Sequence, residues 1–198
     1  CRKATQEGYS TIVMPGHYFY FDMRQSQREP GHNWAAIFDA SKVLAFDFEK
    51  EGFTKEEMKN VAGIQASFFS ELYISHLEDE SDYLQYQTYP RICSLSEVAW
   101  CGKGGEWKEF YSRLTNAHYG RMLAMGIDFR LAPPTIKYED GVLSAATTDR
   151  SHIYYNVVGK AETHLYVEPI KTDKPARYVF HTKQGGARSG DVAVEAHY

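Results

Sequence analysis

The chain has 198 residues, of which 43% are hydrophobic and 15% aromatic, and its formal net charge is −4 at pH 7. Its basic residues are scattered rather than clustered, which argues against a nucleic-acid partner. No apolar run reaches the roughly 18–20 residues that cross a bilayer, so we expect no membrane span and one sizeable or two small globular domains.

The first part of the chain predicts strands and helices in alternation. Residues 11–14 form a short β-branched and apolar run that is typical of a buried strand. Thr54-Lys55-Glu56-Glu57 has the spacing of a capping box and should open a helix that ends near Ala62-Gly63. Residues 64–69 predict a second buried strand, with Glu71 just beyond its carboxyl end.

Two helices are predicted next. Ser81 or Asp82 can cap a helix that runs to about Trp100 with a kink at Pro90, and a second helix spans about residues 106–125. The charge run Glu78-Asp79-Glu80-Ser81-Asp82 is interpreted as a solvated helix cap. The order strand, helix, strand, helix, helix indicates a βαβα segment of a parallel sheet.

The pattern changes at Leu131-Ala132-Pro133-Pro134, after which apolar and polar residues alternate in short segments. Strands are predicted at residues 153–158, 164–167, 177–181 and 192–195. Asp140-Gly141 and Gly185-Gly186 are the turns that separate such segments. We therefore predict a small antiparallel sandwich, with a domain boundary that divides the chain into residues 1–132 and 133–198.

Cysteine and histidine do not predict a metal site. Cys1, Cys93 and Cys101 lack the spacing of metal ligands, and the eight histidines are dispersed. We expect Cys93 and Cys101 to be small buried side chains. No metal and no cofactor is predicted.

Several motifs recur in the order and at the spacing of a known family. They are Gly8-Tyr9, Tyr20-Phe21-Asp22, Trp34-Ala35-Ala36, Gly63-Ile64-Gln65-Ala66 with Phe69-Ser70-Glu71, and Tyr89-Pro90-Arg91 with Ser96-Glu97-Val98-Ala99-Trp100. Together they resemble the last part of the catalytic barrel of family 20 glycoside hydrolases, the β-N-acetylhexosaminidases, in their bacterial chitobiase-like branch. The resemblance implies the C-terminal segment of a (β/α)8 TIM barrel, its last two βα units, followed by the β-sandwich.

The resemblance also implies roles for five side chains. Tyr20 would act in catalysis by hydrogen-bonding the carbonyl of the substrate's 2-acetamido group, and Asp22 would accept from a sugar hydroxyl, O4 or O6. Trp34 would be a platform for the sugar on the leaving-group side. Phe69 would wall the acetamido methyl, where the family has Trp, and Glu71 would accept from O4 and O6 of the terminal sugar.

Two further residues of the resemblance have structural roles. Arg91 and Glu97 are expected to pack and to form ion pairs in the helix that follows the last barrel strand, rather than to act in catalysis.

Family members use the substrate's own acetamide as nucleophile, with an adjacent Asp-Glu pair at the fourth barrel strand. No Asp-Glu pair occupies a comparable strand end in this chain. We therefore expect the rest of the barrel upstream of Cys1, and an isolated chain that is inactive. The parent would be an exo-acting, periplasmic or secreted hydrolase of oligosaccharides ending in N-acetylglucosamine or N-acetylgalactosamine.

Two other interpretations stay open. The parent could be a non-catalytic carbohydrate-binding protein on the same barrel, and the divergent Phe69 is what loss of catalysis would leave. Alternatively, the chain could be an autonomous α/β-plus-sandwich domain with a scaffolding role, which predicts a monomer without affinity for sugars.

Overall fold

A computed structural model of the chain describes residues 1–76 and 82–197. The chain divides into two compact units, Cys1–Leu114 and Thr115–Tyr198. The predicted domain boundary at Pro133 stays a prediction, because a compact unit of the structure need not be a domain. Within the residues described, no helix combines the length and the apolarity that a bilayer crossing requires.

The first unit is a mixture of short helices and a two-stranded parallel sheet. Its helices are α1 (Arg2–Gln6), α2 (Gly16–Phe19), α3 (Ala40–Leu44), α4 (Lys55–Met58), α5 (Tyr83–Thr88), α6 (Arg91–Cys101) and α7 (Trp107–Arg113). Strands β1 (Thr11–Val13) and β2 (Val61–Ile64) pair in parallel, with Val13 opposite Ile64. A helical turn at Ile74–His76 follows β2. The predicted α/β character and parallel pairing of this part of the chain are confirmed.

The capping box at the start of α4 is confirmed. The Thr54 side chain accepts from the Glu57 amide, and the Glu57 side chain accepts from the Thr54 amide. The predicted end of this helix was wrong, because α4 stops at Met58 and β2 already begins at Val61. Residues that were predicted to be helical pair with β1 instead, so the second strand begins three residues before its predicted start.

The helix predicted up to Trp100 is divided in two. Asp82 caps α5, where its side chain accepts from the Gln85 amide at 3.0 Å. The rest of the charge run, Glu78-Asp79-Glu80-Ser81, lies outside the described residues. Tyr89 is extended between α5 and α6 (φ −98°, ψ 136°). Pro90 has no amide to donate, so the chain restarts a helix there instead of kinking one.

The core of the first unit is rich in phenylalanine. Its buried aromatic residues include Phe19, Phe21, Phe38, Phe46, Phe48 and Phe53. Arg91, at the start of α6, is fully buried against this cluster, with its guanidinium 4.8 Å from the ring centroid of Phe21 and 5.2 Å from that of Phe38. Glu97 accepts from Arg113 at 2.5 Å. The packing predicted for Arg91 and the ion pair predicted for Glu97 are confirmed.

The second unit consists of one helix and two antiparallel sheets. Helix α8 (Tyr119–Ala124) precedes β3 (Thr135–Glu139), β4 (Val142–Ala146), β5 (His152–Val157), β6 (Thr163–Leu165), β7 (Ile170–Lys171), β8 (Ala176–Gln184), β9 (Ala187–Arg188) and β10 (Val192–Ala196). One sheet has the order β10-β8-β5-β6, with β9 beside β8, and the other has the order β3-β4-β7. Leu143, Ile153 and Phe180 form a core to which both sheets contribute. The antiparallel β-rich character predicted for this part is confirmed.

Two expectations for local structure need correction. The helix predicted over residues 106–125 is interrupted by a wider turn at Leu114–His118, between α7 and α8. Cys101 is exposed rather than buried, because α6 ends there at the left-handed Gly102. Cys93 is partly buried, and this burial raises the pKa of its thiol to about 11.

Candidate functional site

A cavity of about 300 Å³ opens in the first unit, close to where its two strands end. It is lined by Tyr20, Asp22, His32, Trp34, Phe69 and Glu71. The five side chains predicted from sequence therefore meet at one place, although they lie on three separate stretches of chain. The volume is at the lower end of the range for small-molecule sites, about 300–1,000 Å³.

Tyr20 is positioned by a parallel bridge that follows α2 and lies outside the named strands. Tyr20 bridges Ser67 in parallel, and the Phe21 amide donates to the Ser67 carbonyl at 2.7 Å. The stretch after β1 thus runs beside the stretch after β2 and brings Tyr20 next to Phe69, with ring centroids 5.2 Å apart. The carboxyl ends of parallel strands deliver side chains to one edge of a sheet, as in barrel enzymes.

Asp22 is a buried carboxylate with unused hydrogen-bonding capacity. It is 2% exposed, and its Oδ1 has no hydrogen-bond partner among the residues described. The carbonyls on either side of it, those of Phe21 and Met23, accept from the Arg91 guanidinium. Since a buried polar atom without a partner costs free energy, Oδ1 is suited to accept from a ligand hydroxyl.

The aromatic side chains of the cavity leave apolar faces accessible. Trp34 is 67% exposed and Phe69 is 43% exposed, and both stand edge-to-face against Tyr20. Tyr20 lies 5.8 Å from Trp34, centroid to centroid. Such faces suit the C–H side of a pyranose ring, which is apolar although its edge carries hydroxyls.

Glu71 lies exposed in the turn after β2, seven residues past the end of that strand. With Asp22 it gives the cavity two carboxylates, and neither lysine nor arginine is among the lining residues that the structure describes. Ionised carboxylates only accept hydrogen bonds, so this lining favours neutral ligands rich in hydroxyls over anions. Residues 1–76 and 82–197 contain no group of three His, Cys, Asp or Glu that could hold a metal.

Two residues of this region were not assigned a role in the site from sequence. His32 lines the cavity, but it is not among the site residues predicted from sequence. Its place two residues before Trp34 was a possible signal, because side chains two apart in extended chain face the same side. The contact of Arg91 with the backbone around Asp22 had no signal in the sequence, since it joins segments far apart in the chain.

Comparison with protein families gives one match. The catalytic domain of glycosyl hydrolase family 20 matches residues 1–103. The N,N'-diacetylchitobiase of Vibrio harveyi is 26% identical over 185 residues, covering 71% of this chain and 20% of that protein. The β-hexosaminidase of Akkermansia muciniphila is 26% identical over 116 residues, covering 58% of this chain and 22% of that protein.

Solved structures agree with these sequences. Streptomyces plicatus N-acetyl-β-hexosaminidase in complex with Thio-NAglucal has a TM-score of 0.52 at 26% identity, covering 65% of this chain and 25% of that one. The exo β-N-acetylglucosaminidase of Vibrio harveyi in complex with N-acetylglucosamine has a TM-score of 0.54 at 21% identity, covering 65% and 20%. The chain thus spans about a fifth to a quarter of the length of these relatives.

Proposed function

Because the chain belongs to glycoside hydrolase family 20, we propose that it forms the sugar-holding part of an exo-acting β-N-acetylhexosaminidase. Members of this family are glycoside hydrolases, and the relatives described above include a chitobiase and a β-hexosaminidase. The fold is that of the family: a segment of the (β/α)8 TIM barrel followed by an antiparallel β module. The ligand would be an oligosaccharide that ends in N-acetylglucosamine or N-acetylgalactosamine.

The observation that carries the proposal is the unpartnered Oδ1 of Asp22 beside an aromatic wall. A monosaccharide has hydroxyls to satisfy that oxygen and an apolar face to lie against Trp34 or Phe69. The exposed Glu71 adds a second acceptor at the rim of the same cavity. Acceptors that bind several hydroxyls of one ring would leave no room for further sugars on that side, which supports exo action.

In the mechanism we propose, the substrate's acetamido oxygen attacks its own anomeric carbon while the leaving oxygen takes a proton from a carboxylic acid. Water then opens the resulting oxazolinium ring, with retention of configuration. The Tyr20 hydroxyl would hold the acetamido oxygen in attack geometry, an orientation effect that can be worth several kcal/mol. Asp22 and Glu71 would bind the sugar and take no part in proton transfer.

The proton donor and its neighbouring aspartate would come from a part of the parent protein that this chain does not include. The relatives are about four to five times longer than the matched part, and the chain contributes one pair of parallel strands to an eight-stranded barrel. We therefore propose that the isolated chain binds sugar without hydrolysing it. Export to the periplasm or medium is part of the same proposal.

A second candidate is a non-catalytic carbohydrate-binding protein, and Phe69 favours it. Phenylalanine keeps a flat face against Tyr20 but has less area than tryptophan and lacks the indole N–H. A parent protein that has the barrel strands but no strand-end Asp-Glu pair would support this second function.

The experiment is a titration of the 198-residue chain with N-acetylglucosamine, using calorimetry. We expect saturable binding that weakens about 5- to 10-fold in Glu71→Gln, because hydrogen bonds to charged groups contribute about 1.5–3 kcal/mol and those to neutral groups about 0.5–1.5 kcal/mol. Glu168→Gln is the matched control, since Glu168 is exposed in the second unit. Absence of binding would refute the sugar site, and robust hydrolysis of an aryl N-acetylglucosaminide by this chain would refute its inactivity.

A further inference from the structure

His32 has no assigned role, and it lies in the wall of the cavity beside Asp22. Its side chain is half-buried, and its ring nitrogens have no hydrogen bond to any residue that the structure describes. A half-buried imidazole in the wall of a ligand cavity, with both nitrogens unused, is available to a ligand.

The backbone fixes His32 to the segment that carries Asp22. The His32 amide donates to the Asp22 carbonyl at 2.9 Å, and the Arg24 amide donates to the His32 carbonyl at 2.7 Å. Residues 23 and 32 form a parallel bridge at this point. Backbone hydrogen bonds therefore hold His32 beside Asp22 without any contribution from a ligand.

Gly31 allows this close approach, and Arg24 holds it. Gly31 has φ +129°, and a Cβ on it would lie 2.6 Å from the Arg24 amide nitrogen. Nε and Nη2 of Arg24 donate to the Gly31 carbonyl at 3.2 and 3.1 Å. The loop that leads to His32 is thus held against the segment of Arg24 by two hydrogen bonds from one guanidinium to one carbonyl.

The His32 ring can supply a hydrogen-bond donor that the two carboxylates of the cavity cannot. Asp22 and Glu71 are acceptors only, whereas an imidazole presents at least one N–H in every protonation state. A ligand hydroxyl that donates its hydrogen to Asp22 keeps lone pairs that require a donor. We infer that the His32 ring donates to the same hydroxyl that Asp22 accepts from, which makes His32 a specificity-determining residue. This inference rests on the proposed sugar site.

The consequence is selection for a free hydroxyl at one ring position. A methyl ether cannot donate to Asp22, and a deoxy position cannot satisfy either side chain. Asp22 and His32 would therefore reject a methyl ether or deoxy sugar modified at that position and tolerate one modified elsewhere on the ring. Neutral hydroxyls are favoured because a primary amine would offer His32 no lone pair once protonated.

The test compares N-acetylglucosamine with its 4-deoxy and 6-deoxy analogues on the full chain. For N-acetylglucosamine we expect His32→Ala to raise Kd about 3- to 10-fold, and His32→Gln, which keeps an N–H donor, to stay within about 3-fold of wild type. For the deoxy sugar that lacks the shared hydroxyl, His32→Ala should cost nothing further. His118→Ala is the control, because His118 is exposed outside this cavity.

The outcomes separate this inference from the proposed function. If Asp22→Asn weakens binding while His32→Ala does not, the inference is overturned and the sugar site stands. If His32→Ala weakens binding of all three sugars equally, the ring acts on the fold rather than on a hydroxyl, and the inference again fails. If wild type binds no sugar, the proposed function fails and takes the inference with it.

Discussion

The strongest test of how this site is held together is Arg91→Lys. Arg91 is fully buried, and its guanidinium donates to the main-chain carbonyls of Phe21, Met23 and Gln87. Lysine carries one ammonium in place of a planar fork, so it cannot reach three carbonyls that surround the guanidinium. We expect it to keep one of them and to leave two buried carbonyls without a donor.

The magnitude follows from those two lost hydrogen bonds. Each buried acceptor left unsatisfied costs about 1–3 kcal/mol, so the free energy of unfolding should fall by about 4 kcal/mol. That loss is a large part of the stability of a typical domain, about 5–15 kcal/mol. The lost stacking of the guanidinium on Phe21 and Phe38 acts in the same direction.

Urea unfolding followed by tryptophan fluorescence measures this loss in the first compact unit, where Arg91 lies. The three tryptophans of the chain, at positions 34, 100 and 107, all lie within Cys1–Leu114. Arg113→Lys is the matched control, because Arg113 is 55% exposed in its ion pair with Glu97 and its replacement should change stability by less than about 0.5 kcal/mol. A loss below about 1 kcal/mol for Arg91→Lys would falsify the reasoning.

Three further predictions concern other residues. Cys1 and Cys101 are exposed and should react with a thiol reagent at pH 8 in the native chain. Cys93 should react only on unfolding, because its burial raises the pKa of its thiol to about 11. Prompt reaction of all three thiols would contradict this prediction. The hydrogen bond from the backbone amide of the cap residue lowers the pKa of Glu57, so its contribution to stability is present above the ordinary glutamate pKa and is lost as the pH falls through the lowered value. Glu57→Gln should therefore flatten the acid limb of stability measured against pH, and an unchanged limb would argue against it. Gly31→Ala should cost about 1–3 kcal/mol in urea unfolding, because the residue has φ +129° and its Cβ would meet backbone, and a neutral effect would count against the close approach of this loop.

The sequence predicted best where local chemistry decides the structure. The capping box at Thr54 and the cap at Asp82 depend on side chains and amides within one turn, and both form as expected. The turn at Asp140-Gly141 joins β3 to β4 with positive φ at both residues, for the same local reason. Features of this kind need no information from distant parts of the chain.

Prediction from sequence failed at the bounds that long-range pairing sets, although the parallel pairing itself was predicted. The early start of β2 depends on β1, which lies some fifty residues earlier in the chain. Val61 pairs with Thr11 of β1, although the residues next to Val61 do not predict a strand. In the candidate site, the family resemblance placed Tyr20, Asp22 and Glu71 together, whereas it assigned no role to His32, which the loop after Arg24 brings to the cavity. Hydrogen bonds to main-chain atoms do not depend on the residue type of the acceptor, so the sequence does not predict them.

The same main-chain contacts suggest how ligand preference could be altered. Arg91 binds carbonyl oxygens on both sides of Asp22, and every residue type supplies such an oxygen. The backbone on both sides of Asp22 is therefore held by a side chain that lies outside the cavity lining. A library that varies positions 22, 32 and 71 while keeping Arg91 would change which sugar is recognised and leave the framework for recognition intact.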